Sequence, residues 1–297
     1  MATQIDNAFV KQYERDLIEV FQRSGGYLRP TVRMKTDVVG TTTTFQKIGK
    51  GVATTKARHG VITPMNQDHT PMTATLADFY AGDWVDKLDE AKINIDERMA
   101  IARGGAFALG RKVDEQIITQ LDATTQSTVT FTVTSRAAIR ASLLGMAEAI
   151  FANDVKNDGK IYGLLTPRAW SQAMTVEEFA SADFVGADGQ AFRTGPSVGL
   201  GKWKDFMGIK WAIHTDLPGK GTSTAKIFVY HKDAVGYACG KHAGNVAAAD
   251  MVSADITWHG DRAAHFVNHM MSGGAVLIDD SGCIEGQLND TTAIATT

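Results

Sequence analysis

The stretch NIDERMAIARGGAFALGRKVDEQIITQL, residues 94–121, constrains this chain more than any other. Apolar residues recur at Ile95, Met99, Ala102, Ala106, Leu109, Val113, Ile117 and Leu121, in steps of three and four that place them on one face of an α-helix. Asn94 suits the N-cap, and Glu97 three positions on completes a capping box. Asp96 and Glu97 complement the positive end of the helix dipole. At about 1.5 Å per residue such a helix spans roughly 40 Å, so the rest of the chain has to be arranged along it.

Gly104, Gly105 and Gly110 fall inside this helix, where each is about 1 kcal/mol less favourable than alanine. Two readings explain them. Another backbone packs closely against the helix, or the helix bends at Gly104 and Gly105 to follow a curved surface.

Residues 31–75 have the opposite character. They are rich in threonine and valine, punctuated by glycine, and show no helical period. The pattern predicts a long β-hairpin, with strands at 32–34 and 43–48 going out and at 60–63 and 72–76 returning. Large apolar residues are sparse, so the hairpin cannot bury a face of its own and needs cover from elsewhere.

Ahead of the hairpin, Ile5, Phe9, Tyr13, Leu17 and Phe21 at four-residue spacing predict an amphipathic helix closed by Gly25 and Gly26. It either docks on its own core or serves as an arm that grips a neighbour. Residues 76–92 carry Leu76, Phe79, Tyr80, Trp84, Val85 and Leu88 among acids and lead into the long helix.

Beyond it, a short strand at 128–133 precedes a helix capped by Ser135, with Ile139, Leu143, Met146 and Ile150 on one face. A strand at 160–165 leads to a short helix opened by Thr166 and Pro167, proline being well suited to a first helical turn. Residues 181–204 read as a glycine-rich surface loop. Strands are expected at 208–214, 226–231, 252–259 and 274–278, a turn or short helix starts at 233–235, and residues 261–270 are ambiguous between helix and strand. The tail 291–297 is small and polar and reads as a frayed end.

Chemistry is hard to find. No phosphate loop occurs, because Gly219-Lys220 lacks the earlier glycine and has His214 there instead. His265 and His269 stand four apart in HFVNH with His259 nearby, but Phe266 occupies the place where a zinc peptidase needs its glutamate. There is no G-x-S-x-G elbow. Cys239 and Cys283, the 2 cysteines, form no Cys-x-x-Cys pair and are expected as buried free thiols. No catalytic, metal or cofactor residue is nominated.

A net charge of −3 argues against a general nucleic-acid binder, and no apolar run approaches a membrane span. The N-terminus has no signal-peptide core, which predicts synthesis and folding in the cytoplasm.

The order of parts resembles the major capsid protein of tailed bacteriophages, the Hong Kong 97 fold. The resemblance is carried by the ribbon 31–75, the helix 94–121, GLLTPRAWSQAM at 163–174, MGIKWAIHTDLPG at 207–219 and GGAVLIDDSGCIEG at 273–286. It implies an α+β fold with an N-terminal arm (1–30), an extended E-loop β-hairpin (31–75) and a peripheral domain holding the spine helix (76–135). An α/β axial domain (136–254) follows, then closing strands of the peripheral domain (255–297).

The implied function is structural: self-assembly into the icosahedral head shell of a phage, enclosing double-stranded DNA. Implied partners are further copies of the chain in hexamers and pentamers, a portal protein, an optional decoration protein and weakly held DNA, with no membrane. No helical leader of roughly a hundred residues precedes the arm, which makes the scaffolding protein a separate chain on this reading. Assembly would take place in the host bacterial cytoplasm. An encapsulin-like nanocompartment shares the fold and differs in its contents, and an unrecognised α+β enzyme is the alternative of a different class.

Charge adds a detail. Residues 31–60 carry Arg33, Lys35, Lys47, Lys50, Lys56 and Arg58 against Asp37 alone. Residues 76–97 carry Asp78, Asp83, Asp86, Asp89, Glu90, Asp96 and Glu97 against Lys87 and Lys92. These are either two solvated faces or, since the E-loop of the resembled family lies across the adjacent subunit, the two halves of a head-to-tail contact.

Overall fold

The computed structural model describes residues 25–88, 97–180, 203–241 and 253–294. The N-terminal helix, the Asn94 cap and all but the last two residues of the loop expected at 181–204 lie outside the described residues, and Lys204 of that segment opens a strand. In chain order the strands and helices are β1 (Arg33–Val38), β2 (Thr42–Ile48), β3 (His69–Thr75), β4 (Ala77–Asp86), α1 (Glu97–Leu121) and β5 (Val129–Phe131). There follow α2 (Arg136–Ala152), β6 (Ile161–Leu165), α3 (Pro167–Ala173), α4 (Glu177–Ala180), β7 (Lys204–Phe206), β8 (Ile209–Ile213) and β9 (Ala225–His231). The chain closes with β10 (Val235–Gly240), β11 (Ser253–His259), β12 (Ala264–Leu277) and β13 (Cys283–Leu288).

Two compact units are built from these elements. The described part of the first comprises Gly25, 78–88, 97–112 and 253–271; that of the second comprises 26–77, 113–180, 203–241 and 272–294. Both α1 and β12 contribute residues to each.

In the second unit a mixed six-stranded sheet has the order β5-β13-β9-β6-β8-β7. The expected helix lies over it as α2, with the Ser135 side chain accepting from the Ala138 amide and Ile139, Leu143, Met146 and Ile150 all buried. Thr166 caps α3 in the same way, with Pro167 in its first turn. The core beneath joins these residues to Phe131, Trp170, Phe179, Trp211, Ile227 and Val229. Gly163 on β6 lies directly opposite Trp211 on β8, and the indole occupies the space where a Cβ would sit.

Also in this unit, β10 pairs in parallel with β1 and antiparallel with the 273–277 end of β12. Six consecutive residues of β10, VGYACG, are buried, which removes the alternation that would mark a strand. No strand was expected there. Cys239 and Cys283 are free and buried, as expected.

In the first unit, β11 pairs antiparallel with residues 264–270 of β12, and β4 pairs with β12 as well. The ambiguous segment 261–270 is therefore mostly strand. His265 and His269 stand about 13 Å apart along a strand rather than one turn apart on a helix. His269 lies against Gly105, whereas His259 meets Trp84 edge-on and His265 packs at a tilt against Trp258. The approach to α1, read from sequence without a strand, is the ten-residue β4.

Helix α1 forms over the expected stretch. Leu109, Val113, Ile117 and Leu121 are buried, but Ala106 is exposed, and the buried face turns instead through Asp114 and Ile118. Gly110 and Gly25 meet backbone to backbone, which is the close packing one reading of the glycines required.

Candidate functional site

Two surfaces carry the charged residues singled out in the sequence, one in each unit. The first is the ribbon. Strands β2 and β3 pair from Thr42 opposite Thr75 to Ile48 opposite His69, and the Gly49 amide donates to Asp68 O at 2.8 Å. The expected outer strand at 60–63 does not form. Residues 49–68 hold only a turn at 58–59, since glycine and polar residues there leave no partner face to pair on. Val52, Val61, Ile62 and Met65 are exposed along this loop, Val61 at 91%.

The ribbon is rooted at one aromatic residue. Phe45 is buried against Val38, Ala74, Leu76, Ala238 and Ile278, and it fits because Gly236 opposite has no Cβ to collide with its ring. β1 reaches the ribbon through a bulge between Lys35 and Val38, where Asp37 holds a left-handed φ of 57°, and then through Gly40, whose φ is 107°.

The six cations have different settings. Arg33 and Lys35 lie on β1, outside the hairpin proper, each 6.0 Å from the centre of the Phe45 ring. Lys47 Nζ lies 2.8 Å from Asp279 Oδ1, both side chains being about two-fifths exposed at 39% and 38%. Burial works to raise the pKa of Asp279, but bonds from Lys47 and Ser281 outweigh it and hold the carboxyl below its ordinary range. Lys50 Nζ lies 2.7 Å from Asp154 Oδ2 in an open pair, and that bond lowers the pKa of Asp154. Among the described residues Lys56 reaches Gly60 O alone, within its own loop, and Arg58 is exposed beside it.

The second surface is one face of β4. Alternation along the strand sends Phe79 and Val85 to one side, where Lys112 of α1 lies 5.4 Å from the Phe79 ring centre and Val85 is buried. Asp78, Tyr80, Gly82, Trp84 and Asp86 share the other side, all exposed. Phe266 takes the space beside Gly82 and packs against Trp84 at 4.6 Å between centroids. The guanidinium of Arg262 lies 4.5 Å from the Trp84 ring.

Asp83 points to the side opposite the stripe and accepts from the Trp84 amide; Asp86 accepts from the Leu88 amide. Asp89 and Glu90 lie outside the described residues. Sequence reasoning missed Phe45 with Gly236, and it missed Asp279, which is 232 residues from the lysine it binds. A lone phenylalanine in a threonine-rich ribbon was the signal available for the first. Nothing local marks the second.

Comparison with known proteins gives this arrangement a family. A family model described as phage capsid protein matches residues 5–289. No curated protein sequence matches the chain. Among solved structures, the capsid of the cyanophage P-SCSP1u is similar with a TM-score of 0.72 at 14% identity, covering 97% of this chain and 95% of that one. The capsid of a native GTA particle gives 0.69 at 12% identity, covering 97% of each chain. A structure from Mycobacterium phage Che8 gives 0.68 at 14%, covering 97% of this chain and 99% of that one. The fold is thus that of tailed-phage capsids, the Hong Kong 97 type, and the chain belongs to the phage capsid protein family as a major capsid protein whose copies build the shell of a phage head.

Proposed function

We propose that this shell is the icosahedral head of a tailed bacteriophage enclosing double-stranded DNA, and that the ribbon of each subunit lies on the acidic aromatic stripe of β4 in the next. In this reading residues 31–75 are the E-loop, 76–135 and 255–297 the peripheral domain and 136–254 the axial domain. The observation that carries it is the loop at 49–68, where Val52, Val61, Ile62 and Met65 find no cover among the described residues of the subunit. The stripe Asp78-Tyr80-Gly82-Trp84-Asp86 offers aromatic area flanked by acids, and the loop offers aliphatic area beside Lys56 and Arg58. A head-to-tail contact of this kind closes into rings. Exposed pairs contribute only about 0.2–1 kcal/mol each, but the contact recurs at every subunit and sets register.

Arg33, Lys35, Lys47 and Lys50 already touch groups of their own chain, which leaves Lys56 and Arg58 as the cations best placed to reach a neighbour. Gly104, with nothing within 4 Å of where a Cβ would stand, is where α1 has room to bend with Gly105 along a curved shell. The finer partners are a separate scaffolding protein, a portal protein and, where present, a decoration protein, with assembly in the host bacterial cytoplasm and no catalytic role for the subunit. DNA contact is weak and independent of sequence, in keeping with a net charge of −3, and is lost at moderate salt.

The test is charge reversal. Lys56→Glu with Arg58→Glu leaves a folded subunit that sediments near the 32.0 kDa monomer or as small capsomers rather than as shells. Adding Asp78→Lys and Asp86→Lys in the same chain restores part of the assembly. If the quadruple variant assembles no better than the double one, the pairing of ribbon with stripe is wrong. Nanomolar, sequence-specific DNA binding by the parent protein would overturn the container reading itself.

A further inference from the structure

We infer that Phe45 and Lys47 form a two-point anchor within the subunit, fixing the direction in which the ribbon leaves, so that Asp279 positions the ribbon rather than leaving Lys47 free for a neighbour. The inference rests on the shell reading for its consequence, but its geometry lies in one chain.

Phe45 and Lys47 stand two residues apart on β2 and therefore project to the same side of the ribbon. The first is 3% exposed in a cluster of apolar residues closed by Gly236. The second reaches Asp279, whose carboxylate is itself fixed by accepting from the Ser281 amide and hydroxyl through Oδ1. Asp279 and Ile278 are adjacent, so both anchor points land on one short segment just after β12.

Farther out the ribbon is not packed solidly onto the body. A cleft of about 280 Å³ runs there, lined among others by Ile48, Lys50, Asp154, His231 and Asp279. Lys50 crosses to Asp154 with both side chains more than three-quarters exposed, at 76% and 79%, where water and salt screen the pair. A strand held at two points beside an open cleft changes direction when one of them is removed. The ribbon extends a further twenty residues or so beyond Ile48, so a small change of angle at the root becomes a displacement of several ångströms at the loop.

Hydrogen exchange on unassembled subunits tests the anchor, and electron microscopy of assembled particles tests its consequence. Lys47→Met, which keeps the stem and removes the charge, and Asp279→Asn, which keeps an acceptor for Ser281, are expected to speed exchange severalfold in β2 and β3. Exchange in β6 and β9 should stay unchanged, which separates a loosened ribbon from a damaged fold. Lys47→Arg and Lys50→Met should behave like the parent. Shells of Lys47→Met should vary in diameter where the parent's are uniform.

Unchanged ribbon exchange in Lys47→Met overturns the anchor. Assembly of that variant at a lower protein concentration than the parent also overturns it, because the pair would then be holding the ribbon back rather than placing it. Uniform parent-like shells despite faster exchange overturn the claim on shell geometry. A parent that forms no shells sinks the assembly reading instead, while exchange still decides the anchor.

Discussion

Gly110 in α1 and Gly25 lie backbone against backbone, so close that a Cβ at Gly110 would stand 3.0 Å from Gly25 Cα. Neither residue can move without opening the contact, because the atoms in the way are main chain. Alanine at Gly25 points directly at the Gly110 peptide and is expected to destabilise the subunit by about 1–3 kcal/mol, as overpacking does. Alanine at Gly110 meets the same wall less squarely and should cost less. Thermal unfolding of the two variants gives the order, and a Gly25→Ala subunit as stable as the parent would show that the helix does not pack as described.

The neighbouring glycines separate two roles that one sequence motif ran together. Gly105 faces the His269 ring, whose Nδ1 would come within 2.6 Å of an added Cβ, and His269 is buried. Gly104 faces open space among the described residues. Gly104→Ala should therefore raise subunit stability by up to about 1 kcal/mol through helix propensity, while Gly105→Ala lowers it. The bend proposed for this point adds a second outcome: the stiffer Gly104→Ala subunit closes fewer complete shells. Gains in both stability and shell yield would remove the bend and leave only propensity.

How much of this was legible in the sequence depended on what each signal measures. Helix α1 could be read from its apolar period, and α2 because period and cap agreed, Ser135 and Ile139 to Ile150 being enough to place it. β4 could not, because Phe79 and Val85 on one face and Tyr80 and Trp84 on the other leave no alternation of apolar with polar. β10 failed for the related reason that it is buried on both faces. For the candidate site, a charge count along the ribbon treats every lysine as available. It cannot register that Lys47 meets an aspartate 232 positions away, because that meeting depends on the fold bringing β2 beside the end of β12.

A buried carboxylate on α1 supports the second unit from inside. Asp114 is fully buried and accepts from the Gly26 amide through one oxygen and the Leu28 amide through the other, each at 3.1 Å. His214 Nε2 lies 3.7 Å from the same group. Bonds to a charged acceptor contribute about 1.5–3 kcal/mol, and removing the acceptor strands its buried donors. Asp114→Ala should accordingly lose several kcal/mol, on the order of 3, and free the segment at 26–31 for proteolysis. Asp114→Asn keeps one good acceptor and should fall between. Resistance of Asp114→Ala to protease at the parent's level would show that Leu28 and the ring of contacts around it hold the segment unaided.

Acid should destabilise the second unit through a carboxylate that lies between β12 and β13 and holds the turn after α1. Asp280 accepts from the Thr124 hydroxyl at 2.7 Å, the Thr125 amide at 3.0 Å, the Thr125 hydroxyl and the Gln126 side-chain amide at 3.0 Å, tying the turn after the helix to the segment before β13. Partial burial works to raise its pKa, but these donors outweigh it and bring the value down to about 2. In the unfolded chain the same carboxyl titrates near its ordinary value of about 3.9. Because the folded value is the lower one, the unfolded state takes up the proton first as pH falls. The stabilisation is therefore complete above about pH 5 and drains away as pH drops from about 4 through about 2. Asp279 and Asp154, also held below the ordinary range, add to the slope in the same direction. Asp280→Asn removes one of these contributions, so the variant should be less stable than the parent at neutral pH and the gap should close toward pH 2. Denaturant titrations at steps of pH measure both limbs, and a gap that stays constant from neutral pH to the acid limit would mean that the charge of Asp280 does not hold the turn.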